Sequence, residues 1–107
     1  MTTLDKSAER HLLVTIRSQP AHRQRVQGLL LELIEPVRRE PGCLYYHLLV
    51  QAEDPTAFVL LAGWANEEAV AAHPTHPAVP GILALVRPLL ASPWEVLPTQ
   101  RVSENPT

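Results

Sequence analysis

The chain has 107 residues, with 9 Lys+Arg against 11 Asp+Glu, a net charge of −2 and a pI near 6.2. One thin-cored domain fits that length, which excludes a large multidomain enzyme, and the charge balance carries no basic footprint for nucleic acid. A hydrophobic fraction of 46% argues for a packed core, the lone Cys43 excludes an intrachain disulfide or a CxxC metal site, and no run reaches the ~18 apolar residues of a membrane helix.

Residues 1–10 are polar and read as a poorly ordered leader without a signal peptide, so a cytoplasmic location is expected. From His11 to Ser18 apolar residues alternate and predict a first strand, with Leu12, Val14 and Ile16 on one face and His11, Leu13, Thr15 and Arg17 on the other. Pro20 suits a first helical turn, and Val26, Leu29, Leu30, Leu33, Ile34 and Val37 recur at helical spacing up to Glu40. Pro36 kinks or ends that helix. Its other side mixes Arg23, Arg25, Glu32, Glu35 and Arg38, a solvated face with weak ion pairs.

Pro41-Gly42 marks a turn, and Cys43 to Gln51 reads as a second strand, with Leu44, Tyr46, Leu48 and Val50 on one face and Cys43, Tyr45, His47 and Leu49 on the other. After the turn at 53–56, Ala57 to Ala65 forms a hairpin with it. Phe58, Leu60, Ala62 and Trp64 share one face, and both faces are apolar. Asn66 caps a short helix over 67–73 with Glu67 and Glu68 in its first turn. His73-Pro74-Thr75-His76-Pro77 breaks it, because each residue before a proline is pushed out of the helical region. Helical spacing resumes from Val79 to Leu90. Trp94, Val96 and Val102 suggest a last strand edged by Pro98, and 103–107 reads as a frayed tail.

The order strand, helix, strand, strand, broken helix, strand is the α+β ferredoxin-like βαββαβ arrangement over 11–102, a four-stranded antiparallel sheet with helices on one face. The apolar residues of the other face, in so small a chain, predict sheet-to-sheet pairing as a homodimer.

Glu40-Pro41-Gly42-Cys43-Leu44-Tyr45-Tyr46, Asp54-Pro55 with Phe58 to Trp64, and Glu67-Glu68-Ala69 with His73 together resemble the antibiotic biosynthesis monooxygenase family. The resemblance implies a dimeric α+β barrel. It also implies oxidation of a quinol-like or polyphenolic aromatic by O₂ without metal, flavin or other cofactor. That chemistry needs an apolar cleft, a base that favours the phenolate and exclusion of water. His73 and His76 are the candidate catalytic residues, and Trp64, Tyr46 and Phe58 the candidate substrate-binding residues.

Two departures qualify the resemblance. Ala62 stands where members commonly carry a Glu two positions before the Trp, which loses a carboxylate and opens space beside Trp64. The alternative function is therefore a non-catalytic small-ligand-binding or stress-associated member of the superfamily. The first strand also lacks the Asn of haem-degrading members, which disfavours haem degradation.

Ordinary readings compete for each residue. Trp64 and Tyr46 also suit a core, and His73 and His76 also suit caps at a helix break. A metal site joining His73, His76 and His47 lacks a completing Cys or carboxylate. Arg17 suits an inter-strand ion pair better than an anionic substrate, Cys43 suits packing, and His11 and His22 look solvated.

Overall fold

A computed structural model describes residues 6–104. Four strands, β1 (Arg10–Arg17), β2 (Cys43–Val50), β3 (Ala57–Trp64) and β4 (Glu95–Thr99), form one sheet. Its order is β2-β3-β1-β4 and every pair is antiparallel. Three helices accompany it: α1 (Arg23–Arg38), α2 (Glu67–Ala72) and α3 (Ala78–Val86). The expected ferredoxin-like α+β fold is what forms.

The register explains the core. Leu12, Val14 and Ile16 stand opposite Ala62, Leu60 and Phe58, while Tyr46 and Leu48 stand opposite Ala62 and Leu60. This face packs against Val26, Leu29, Leu30, Leu33 and Val37, the apolar stripe read from α1, and against Val79 and Val86 of α3. The opposite face carries His11, Leu13, Tyr45, His47, Leu49, Val59, Leu61, Gly63 and Leu97 and has no helix over it. Leu49 is 45% and Leu97 56% exposed.

Several boundaries differ from expectation for local reasons. Pro20–His22 is a 3-10 turn, and α1 starts at Arg23, running through Pro36 and stopping two residues later. A β-bulge between Cys43 and Tyr45 takes Leu44 out of the alternation. Cys43 therefore stands opposite Trp64 and packs on the core, the face expected of Leu44, which is exposed. The last strand is shorter than expected. Trp94 precedes it, stacked under the Arg87 guanidinium at 4.9 Å, Val102 lies beyond it, and Pro98 sits within this edge strand, where a missing N–H is tolerated.

The leader and tail expectations fall partly on residues 1–5 and 105–107, which lie outside the described residues. Within residues 6–10 two side chains make ion pairs. Lys6 Nζ lies 2.6 Å from a Glu104 carboxylate oxygen, and the Glu9 carboxylate is buried against Arg101. Arg17 forms an ion pair, though with the turn between β2 and β3 rather than with a neighbouring strand, at 3.1 Å from Asp54.

Candidate functional site

The chain leaving α1 turns tightly at Glu40-Pro41-Gly42-Cys43, closed by the Cys43 N–H donating to the Glu40 carbonyl at 3.1 Å. Proline at the second position and Gly42 at φ 83° give it the form of a type II turn. A Cβ at Gly42 would lie 2.6 Å from the Ala69 Cβ of α2, so glycine also lets α2 settle on the turn. The Asn66 carboxamide oxygen accepts from the Ala69 N–H at 2.9 Å, which caps α2 and fixes where it starts. α2 then passes into a 3-10 turn, His73–Thr75, that delivers His73 to Glu40.

The result is a compact cluster. His73 Nδ1 lies 3.0 and 3.2 Å from the two Glu40 carboxylate oxygens, and the His73 ring lies 4.8 Å from Trp64 and 6.0 Å from Tyr46. Glu40 is buried and His73 half-buried. Trp64 is 0% exposed, and its indole Nε1–H is buried without a hydrogen-bond partner. Burial pushes the Tyr46 phenol well above its ordinary range, with the Glu40 charge and Cys43 adding to it. The Cys43 thiol is raised too, first by burial and then by Glu40, which leaves it a packing residue and a poor nucleophile.

Of the five residues expected from sequence, the fold gathers three: Trp64, Tyr46 and His73. Phe58 is also buried but sits six residues along β3, ~20 Å away at strand spacing. There it faces Ile16 in the core. Among the described residues the His76 side chain makes no hydrogen bond or ring contact with the cluster; its Nδ1 accepts the Ala78 N–H at 3.3 Å at the start of α3. His47 stands on the uncovered sheet face, where Arg38 lies 3.2 Å from its Nδ1. Among the described residues no group of three or more His, Cys, Asp and Glu side chains is arranged to hold a metal.

The sequence placed Glu40 at the end of the first helix and in the family-like motif, without a site role. The available signal was its position: after Leu33 and Val37 it continues the buried stripe of α1, so an ionisable side chain was bound to be placed inside. It brings to the cluster a carboxylate that Ala62 does not supply. The space expected beside Ala62 and Gly63 is not open. Ala62 is buried between Leu12 and Tyr46, and the Tyr45 ring lies across Gly63 on the other face.

A surface groove of about 530 Å³ borders the cluster, lined by Glu40, Pro41, Gly42, Ala69, Ala72 and His76 among others. That volume is in the range of small-molecule sites. Glu40 is the member shared by groove and cluster.

These features define a ferredoxin-like α+β protein whose helices enclose a carboxylate–imidazole pair beside a buried tryptophan. A sequence model of the antibiotic biosynthesis monooxygenase family matches residues 10–82, and the chain belongs to that family. Membership places it among small monooxygenase-like or ligand-binding folds.

Similar solved structures include an antibiotic biosynthesis monooxygenase at 26% identity and a TM-score of 0.83, over 88% of this chain and 99% of that one. Rv0793 from Mycobacterium tuberculosis has 26% identity and a TM-score of 0.85, over 91% and 98%. PA3566 from Pseudomonas aeruginosa, at 22% identity and a TM-score of 0.86 over 95% and 100%, shares the fold. No curated protein matches the sequence.

Proposed function

We propose that the protein oxidises a small quinol-like or polyphenolic aromatic with O₂, using its own residues and no bound cofactor, with His73 as the base. The observation that carries this is the pairing of His73 Nδ1 with the buried Glu40 carboxylate, 3.0 Å away. A carboxylate accepts only, so the neutral imidazole carries its proton on Nδ1 and presents Nε2 as the acceptor for a phenolic proton. Glu40 then holds the ring in orientation and stabilises the imidazolium that forms. The phenolate supplies electrons to O₂; one oxygen atom enters the ring and the other leaves as water. The Trp64 Nε1–H and the Tyr46 O–H, which burial keeps protonated, are the buried donors beside His73. The groove beside Glu40 is the approach.

Oxygen uptake by the purified protein with a panel of hydroquinones and naphthoquinols tests this, with and without chelator and against a no-protein blank. Protein-dependent, chelator-insensitive uptake that falls by about 10²–10⁴ in His73→Ala is expected, the range for a lost general base. Glu40→Gln is expected to lower kcat more than it raises KM.

A second reading is a non-catalytic ligand-binding member. It is favoured by the sealing of Trp64, at 0% exposure, and by the filling of the space over Gly63. Absence of uptake above blank, with saturable quenching of tryptophan fluorescence by the same aromatics, is its expected outcome.

The chain further pairs with a second copy through the uncovered sheet face. Leu13, Leu49, Val59, Leu61 and Leu97 form an apolar patch there that a monomer would leave in water.

A further inference from the structure

On the uncovered face four polar side chains from distant parts of the chain join in series. Arg101 Nε and Nη2 donate to the two Glu9 carboxylate oxygens at 3.0 and 3.3 Å. Glu9 Oε1 lies 2.9 Å from His11 Nε2, and His11 Nδ1 lies 2.7 Å from the Tyr45 hydroxyl. Glu9 is 3% exposed.

The Tyr45 ring reaches His11 only because it lies across Gly63 of the intervening strand, where a Cβ would approach its Cε2 to 2.2 Å. The His11 and His47 rings both lie near that ring and close to parallel with it, with centroids 5.7 and 5.6 Å away. From β4 the Thr99 hydroxyl donates to the His11 carbonyl, and Arg38 of α1 meets His47.

The hydrogen-bond directions follow from Glu9. Its carboxyl is held below the usual carboxylate range, first by the Arg101 hydrogen bond and then by that of His11, so it is ionised and accepts. Neutral His11 therefore carries its proton on Nε2 and offers Nδ1 to the Tyr45 O–H. The Tyr45 phenol is itself raised, by burial and then by the Glu9 charge, so it does not ionise near neutral pH. A phenol in that state gives up an electron readily only if its proton leaves in the same step, and a fixed acceptor at hydrogen-bond distance is what makes this possible.

We infer that Tyr45 is a redox-active tyrosine, oxidised by one electron with transfer of its proton to His11. In the step the electron passes to a one-electron oxidant, the Oη–H bond breaks and an N–H bond forms at His11 Nδ1. A neutral phenoxyl radical remains on Tyr45, and Glu9 holds the imidazolium. When the oxidant is an organic peroxyl radical it becomes the peroxide anion and takes a proton from water as hydroperoxide. A hydroquinone then restores Tyr45 by giving up one electron and leaving as the semiquinone, its own proton passing to solvent, while His11 returns its proton to the Tyr45 oxygen. The organic peroxyl radical is the species formed when the phenolate passes one electron to O₂ and a second O₂ adds to the substrate radical left behind, so this choice of oxidant rests on the oxygen chemistry proposed above; the relay itself does not.

The test uses the full chain and a ruthenium(III) polypyridyl generated by a light flash, so it is independent of any substrate. Electron paramagnetic resonance of freeze-quenched samples is expected to show a neutral tyrosyl signal that disappears in Tyr45→Phe and persists in Tyr46→Phe. In His11→Gln the oxidation rate is expected to fall by about tenfold or more, the effect of losing a positioned proton acceptor on a barrier. A signal that survives Tyr45→Phe overturns the inference. So does an unchanged rate in His11→Gln, which would make Tyr45 merely the more exposed of the two tyrosines. Should circular dichroism show that His11→Gln fails to fold, the wild-type rate decides. It is expected to be slower in D₂O than in H₂O, because the Oη–H bond breaks in the step that removes the electron, and a rate equal in the two solvents overturns the proposal.

Discussion

Gly63→Ala isolates the single place where the uncovered face depends on a missing side chain. The new methyl would sit 2.2 to 2.7 Å from three atoms of the Tyr45 ring, Cε2, Cδ2 and Cζ, closer than any real contact. Either the ring stays and the sheet is overpacked, at ~1–3 kcal/mol, or it swings away. Swinging away loses the 2.7 Å bond to His11, a hydrogen bond of ~0.5–1.5 kcal/mol, together with ring pairs worth ~0.5–1.5 kcal/mol. Against this, alanine in a strand gains ~0.5–1 kcal/mol over glycine.

The net expectation is a destabilisation of ~1–2 kcal/mol, with Tm lower by ~4–8 °C for each kcal/mol in a domain near this size. Urea and thermal unfolding at fixed protomer concentration measure it. The decisive comparison is the same substitution in Tyr45→Ala. With the ring gone, Gly63→Ala is expected to change sign and stabilise by ~0.5–1 kcal/mol. Equal effects in the two backgrounds would refute the reasoning, since the cost would then have nothing to do with Tyr45.

Arg101→Gln removes the largest cause of the depressed Glu9 pKa. A carboxylate whose folded pKa lies below its unfolded value contributes stability that is present above the unfolded pKa and lost as pH falls through the folded one. With a smaller depression that loss comes sooner, so acid unfolding followed by circular dichroism is expected to begin at a higher pH than in wild type. Leu97→Lys places a charge at the β4 edge of the apolar patch. Sedimentation equilibrium is expected to show a wild-type dimer and a folded Leu97→Lys monomer, and a wild-type monomer at micromolar concentration would remove the proposed pairing.

The elements were legible because their signals are local. The alternation from Leu12 to Ile16, the α1 stripe from Val26 to Val37 and the Asn66 cap each specify backbone state within a few residues, and their order admits one simple sheet topology. The Leu44 bulge was invisible, because a strand of apolar residues on both faces reads the same in either register. Trp64, Tyr46 and His73 were named in advance, and the fold brings them together. Phe58 shares their face but not their end of the strand, a distinction that periodicity does not make.

By itself, then, the sequence determined the βαββαβ order, the buried face and the family. Tertiary structure alone decided which charges meet. Glu40 finds His73 across 33 residues and Glu9 finds Arg101 across 92. Those partnerships depend on where a type II turn and two chain termini come to rest on the sheet. Local patterning specifies backbone and burial, whereas the pairing of polar side chains follows from the three-dimensional arrangement of elements far apart in the chain.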